Sequence, residues 1–294
     1  MADLMRRIEA LALNFQRRMQ EAPDAQSRDH FQATLKTLRL LAETLAQNKP
    51  VFGIEPWHPL QDDVPLAQPG EMLLRLQTAS GKYLPSYPFI MSFYDLRMSA
   101  DIDTILMLAA LRQFENDEEK QVSINVSAQS FYNRDFIKTI LSHIEKMRFA
   151  PAHKIILEIH ESTPSLVNNL KAINLFRKFG IAFAIDDVGL HMNDVLRLSG
   201  FADIADYIKI ERESVVATAD KPHALAHVME MVTTFLPRAV VVAEGVRSPQ
   251  HARTIQQHHP RIAYVQGMKL PGRGEFKEAW GVSAHLKGRQ AHPF

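Results

Sequence analysis

The chain has 294 residues, enough for one large α/β barrel, or for a two-layer domain plus a smaller partner, with a sizeable buried core. Its 34 Lys and Arg balance 33 Asp and Glu, so no bulk field draws DNA, RNA or an acidic membrane, and an anionic ligand must be held by a local site. Cysteine is absent, which excludes disulfides, thiolate metal ligation and a cysteine nucleophile.

Arg6, Arg7 and Glu9 interrupt the first apolar residues, so no signal-peptide core is present. No later run approaches the roughly 20 apolar residues of a spanning helix. The expectation is a cytoplasmic protein without a membrane segment. Within residues 3–20, Leu4, Ile8, Leu11, Phe15 and Met19 step by three and four, the stripe of an amphipathic helix that Pro23 and Asp24 end. A second stripe, Phe31, Leu35, Leu38, Leu41 and Leu45, stops at Asn48-Lys49-Pro50. Each stripe needs a partner, so the pair folds as a hairpin on the main domain or forms a dimeric bundle.

From residue 51 short β-rich runs alternate with helix-length amphipathic segments, the texture of βα units around a parallel sheet. Helices are predicted over 101–115, 129–147, 163–179, 221–236 and 249–258. Strands are predicted at Glu71–Leu76, 123–127, 154–161, 181–187, 206–211, 239–245 and 262–267. The predicted organisation is a helical pair over 1–48, a barrel over 49–285 and a tail over 286–294.

Six of these strands carry a polar residue at or near the carboxyl end: Asn125, Glu158, Asp186 with Asp187, Lys209, Glu244 and Gln266; Glu71 opens the earliest one. Their spacing brackets the roughly 30 residues of a βα unit in a barrel of about 250 residues, and in a closed barrel such ends meet at one face. Glu71, Glu158, Asp186, Asp187 and Glu244 could not all stay ionised there without compensating charge, because like charges raise one another's pKa. Divalent cations supply it, and an oxygen-only set with an Asn amide favours Mg2+ or Mn2+ over Zn2+. Two ions sharing an aspartate would clamp a phosphodiester for in-line displacement. His258 and His259, before Pro260, are expected in an exposed turn, as are Asp117, Glu118 and Glu119; the sequence gives no role to Trp57 or Trp280.

These segments resemble the EAL domain family in order and spacing. Glu71-Met-Leu-Leu-Arg75 is similar to its EALLR signature, SINVS to its Asn-bearing strand and LEIHES to LEITES. IDDVG is similar to IDDFG, YIKIE to the KID strand, AEGVR to AEGVE, and VQGMKLP to the QGY segment. The resemblance covers about residues 51 to 275. It implies a (β/α)8 barrel of the TIM type whose first strand runs antiparallel, behind an N-terminal helical extension. It also implies hydrolysis of cyclic di-GMP to linear pGpG with two Mg2+ or Mn2+ ions. Glu71, Asn125, Glu158 and Asp186 would hold one ion, and Asp186, Asp187 and Glu244 the other. Lys209 would orient the attacking water, Glu244 would be the general base, Gln266 would complete the surroundings, and Arg75 would reach a substrate phosphate. Glu161 matches a glutamate that braces the loop after Asp187. A homodimer through the barrel or the N-terminal helices is a further expectation.

The departures gather in one loop. Where the family has DDFGTGYSS, this chain has Asp186-Asp187-Val188-Gly189-Leu190-His191-Met192-Asn193-Asp194. A loop needing a glycine at 191 is strained by His, and one pinned by an aromatic loosens at Val188. Arg247 and Tyr94 replace acids. Glu55 stands where a Gln-Pro pair usually begins the family's first strand; in contact with a substrate guanine it would accept from base N–H groups but could not donate to O6. The alternative expectation is therefore an EAL module that binds cyclic di-GMP or a protein partner without hydrolysis.

Overall fold

The computed structural model describes residues 2–47, 49–60, 69–116, 121–147, 154–159, 170–190, 198–267, 270 and 277–278. Its described residues divide into two units, one from residues 1–52, 74–96 and 276–294, the other from residues 53–73 and 97–275.

In the first unit α1 (Ala2–Gln20) and α2 (Ala25–Gln47) follow the two apolar stripes. Ile8, Leu35, Leu38 and Leu41 are buried, and the rings of Phe15 and Phe31 meet at 6.0 Å. Asp24 starts the second helix by accepting the Ser27 N–H at 2.7 Å, a bond that holds its carboxyl below the usual range. Strand β4 (Tyr83–Pro85) pairs antiparallel with residues 75–77 of β3 (Gly70–Gln77), and α3 (Tyr87–Asp95) follows. Strand β11 (Lys277–Glu278) pairs with residues 51 and 52 of β1 (Lys49–Pro56).

The second unit holds the barrel sheet. Strands β3, β5 (Val122–Val126), β6 (Ile155–Ile159), β7 (Ala182–Val188), β8 (Tyr207–Ile210), β9 (Val240–Ala243) and β10 (Ile262–Val265) lie side by side, every neighbour parallel. Strand β2 (His58–Pro59), separated from β1 by Trp57 alone, pairs antiparallel with β10. The first strand region thus reaches the last strand, and the sheet curls nearly closed. Around it run α4 (Ser99–Asn116), a short 3-10 helix (Ala128–Tyr132), α5 (Arg134–Ile144), α6 (Leu170–Lys178), α7 (Arg212–Ala217), α8 (Ala226–Phe235) and α9 (Pro249–His258). Phe131 from the 3-10 helix packs on Phe136, Phe176 and Phe183 at 6.0, 5.6 and 5.9 Å, tying two helices to β7.

Two helical expectations change. The segment 129–147 is two helices, because Asn133 closes the first and its side chain caps the second by accepting the Phe136 N–H at 3.0 Å. The segment 221–236 becomes α-helical only at Ala226, and α7 precedes it. The expected helix over 163–179 is described from Leu170 onward. No helix among the described residues is long and apolar enough to cross a membrane.

His259 also differs from expectation: it is buried, and its Nε2 donates to the Pro222 carbonyl at 2.7 Å. Burial, with His258 and His223 nearby, pulls its pKa below the usual histidine value. The folded state then binds less proton than the unfolded chain, so its contribution is complete above the ordinary value and declines as pH falls below it. Thermal unfolding followed between about pH 7 and about pH 5 should show a shallower acid decline for His259→Gln than for the parent protein.

Candidate metal centre

Strand periodicity builds the floor and the rim of the barrel interior together. Alternate residues of one strand face one side of a sheet, and Ile156 with Glu158, Ala182 with Ala184 and Asp186, Tyr207 with Lys209, Val242 with Glu244, and Tyr264 with Gln266 are such sets. The lower members, with Trp57, make one apolar cluster. The upper members are the polar residues at the carboxyl ends. Pairing registers place Asn125 opposite Glu158 and Lys209 opposite Val242.

Strict alternation would send Asp186 and Asp187 to opposite faces. The pairing of β7 with β8 loses register between Ile185 and Val188, and Asp187 takes φ 52°, the left-handed region in which Asp is among the better tolerated residues. With this bulge, one oxygen each from Asp186, Asp187 and Glu244 lies within 4.8 Å of the others. Two residues on, a Cβ at Gly189 would fall 2.1 Å from the Glu211 carboxylate, so glycine permits that close approach. The Glu211 N–H also binds the Val188 carbonyl at 3.0 Å. Val188 is completely buried, and residues 191–197 of the altered loop lie outside the described residues. His191 and the bracing candidate Glu161 lie outside the described residues.

Lys209, itself buried, crosses the centre. Its Nζ lies 2.5 Å from Glu244 Oε1, 2.7 Å from Glu158 Oε2, and 3.2 Å from both Glu71 Oε2 and Asp186 Oδ1. An ammonium has three protons, so four carboxylates cannot each receive a direct bond from it. Glu71 also accepts from Asn125 Nδ2 and Gln266 Nε2, both at 2.7 Å. Those donors fix the amide orientations and leave the carbonyl oxygens as the available ligand atoms.

The titration behaviour follows from burial under crowded negative charge. Burial pushes Glu158 well above the carboxylate range, Glu71 adds to this, and Lys209 opposes it. Glu244 is raised to about 8, again chiefly by burial. Glu71 is buried as well, yet the Lys209 charge and the two amide donors hold it below its usual value. Burial opposes the charge on Lys209, but Asp186, Glu158, Glu244 and Glu71 raise its pKa well above the ordinary value.

This arrangement fits a divalent cation. Five carboxylates, Glu71, Glu158, Asp186, Asp187 and Glu244, converge with one ammonium as their cation in the described contacts. Glu158 Oε1 and Gln266 Oε1 are buried with no hydrogen-bond partner among the described residues. Unpaired buried oxygens are costly, and an oxygen-only donor set matches Mg2+ or Mn2+. Two expected substrate contacts are described within their own elements. Glu55 is half-buried on β1, and Arg75, in the other unit's part of β3, donates Nη1–H to the Leu74 carbonyl at 2.8 Å.

The family model for the EAL domain matches residues 57–269. The cyclic di-GMP phosphodiesterase PdeA of Borreliella burgdorferi is 28% identical over 127 residues, a stretch equal to 40% of this chain and 18% of that protein's length. The FimX EAL domain of Pseudomonas aeruginosa, solved bound to c-di-GMP, aligns with a TM-score of 0.64 and 18% identity over 82% of this chain and 96% of that one. The FimX EAL domain of Xanthomonas citri, in complex with c-diGMP, gives 0.66 and 18% over 85% and 97%. At such identities the structural likeness is one of fold. The sequence match extends through the strands that carry the carboxylates, and the chain belongs to the EAL domain family.

Proposed function

We propose that the protein is a metal-dependent phosphodiesterase that hydrolyses cyclic di-GMP to linear pGpG. The observation that carries this reading is the convergence of carboxylates from successive strands around a single ammonium, with buried oxygens left unpaired among the described residues. A relative named as a cyclic di-GMP phosphodiesterase, and EAL domains solved with that ligand, support the choice of substrate.

Glu71, Asn125, Glu158 and Asp186 would hold one ion, and Asp186, Asp187 and Glu244 a second. Bound there, Mg2+ or Mn2+ would supply Lewis-acid stabilisation of phosphoryl oxygens and lower the pKa of a water. The chain's own groups do the rest. Glu244 takes the proton of the attacking water, as a carboxylate at the edge of the ligand set can. The water oxygen bonds to phosphorus as the bond from phosphorus to the ribose 3′ oxygen breaks; the 3′ oxygen takes a proton from solvent and leaves as a hydroxyl, and the linear product keeps a 5′ phosphate. Lys209 holds the carboxylates in register and keeps a positive charge beside the reacting phosphate. Arg75 and Glu55 are assigned to substrate phosphate and guanine.

Purified protein with Mg2+ or Mn2+ should convert cyclic di-GMP to pGpG, and a chelator should stop it. Glu71→Ala and Asp186→Ala should each reduce turnover to background. Turnover untouched by both substitutions would contradict the assigned site, and ligand binding without product would make the protein a receptor instead. The same charge balance gives a second expectation. Lys209→Met strands the carboxylates without their ammonium and should destabilise the metal-free protein by about 3–5 kcal/mol. Millimolar-range Mn2+ should recover part of that loss in thermal unfolding, because a divalent cation that binds the folded state stabilises it by mass action.

A further inference from the structure

We propose that His251 is a positioning residue for Glu244, acting through a hydrogen-bonded link between the segment that follows β8 and the segment that follows β9. The proposal rests on the metal-centre reading and extends it to a residue outside the ligand set.

His251 lies in the first turn of α9 and is 5% exposed. Its Nδ1 faces the backbone N–H of Arg247 at 3.1 Å, and its Nε2 faces Thr218 Oγ1 at 2.7 Å. A backbone N–H can only donate, so Nδ1 is the acceptor and carries no proton. The neutral ring must then hold its proton on Nε2 and donate to the Thr218 oxygen. That leaves the Thr218 hydroxyl free to donate to the Val215 carbonyl, which it meets at 2.7 Å. One tautomer therefore satisfies every group in the chain of bonds. Burial, which pulls the imidazole below its usual value, favours the same neutral form.

The two ends of this link belong to two strands of the metal centre. Thr218 closes α7, which begins two residues after the end of β8, the strand of Lys209. Arg247 ends the turn that leaves Glu244. In that turn the Glu244 N–H binds the Ile210 carbonyl at 3.2 Å, and the Val246 N–H binds the Gln266 carbonyl at 3.0 Å. Gly245 takes φ +73°, and a Cβ there would lie 2.4 Å from Arg212 Cγ, so this turn packs directly on the start of α7. The His251 bond to Arg247 is the third tie in the same turn. Ser248 caps α9 by accepting the His251 N–H at 3.1 Å, so the residue takes part in the helix cap and, through Nε2, in a contact that an ordinary cap does not make.

Groups that orient metal ligands from outside the ligand set typically change metal affinity by about 10–100-fold when removed. The test is Mn2+ affinity of the full chain, read from the free-ion spin-resonance signal, for the parent protein, Asp186→Ala, His251→Ala and Thr218→Val. Thr218→Val breaks the cross-link and leaves the cap bonds of Ser248 and Arg247 in place, so it separates positioning from capping even where His251→Ala fails to fold. The expected result is binding lost in Asp186→Ala and weakened about tenfold in Thr218→Val, with His251→Ala at least as weak. Parent-like affinity in a folded Thr218→Val, with Asp186→Ala defective, would overturn the role of His251 and leave the metal centre standing. Binding that ignores Asp186→Ala would overturn both.

Discussion

The ammonium of Lys209 is within reach of four carboxylates and has three protons to give them. That shortage organises the mouth of the barrel. A buried ion pair repays its desolvation only with excellent geometry and full hydrogen bonding, and here several acids share one cation. Burial pushes Glu158 and Glu244 upward, and a divalent ion bound among them would supply the charge that favours their ionised forms. Glu71 is the exception because two amides donate to it as well as Lys209.

The rest of the fold serves that arrangement. Alanines at 182 and 184 leave room for Trp57, which fills the barrel interior below the polar layer together with Ile156, Val242 and Tyr264. An apolar floor keeps water out from below and confines the polar groups to the carboxyl ends of the strands. The bulge in β7 then does what a regular strand cannot, presenting two consecutive aspartates to one ligand cluster. The turn after Glu244 has three backbone hydrogen bonds to three different partners: Ile210, Gln266 and His251.

Much of this was legible in the sequence, because the periodicities that reveal strands and helices are the same ones that bury them. The stripes of α1 and α2 and the strands ending in Asn125, Glu158, Asp186, Lys209 and Glu244 all follow from spacing. What the sequence hid depended on contacts between distant residues. The left-handed φ at Asp187 has no local marker, since Asp also occupies ordinary strand conformations. The division of 129–147 turned on the side chain of Asn133, a residue that also occurs inside loops and helices. His259 looked like a solvated turn residue, yet Pro222, far away in sequence, supplies its acceptor. The link from His251 to Thr218 spans 33 residues and could not be read from either segment alone.

The central claim is that the carboxylates at the strand ends form a metal centre. Anomalous diffraction from crystals grown with Mn2+ tests it most directly. The account expects manganese density beside the oxygens of Asp186, Asp187 and Glu244, and a second peak beside Glu71, Asn125, Glu158 and Asp186. Density elsewhere, or a cluster that keeps its Lys209 contacts and binds no ion at saturating Mn2+, would contradict it.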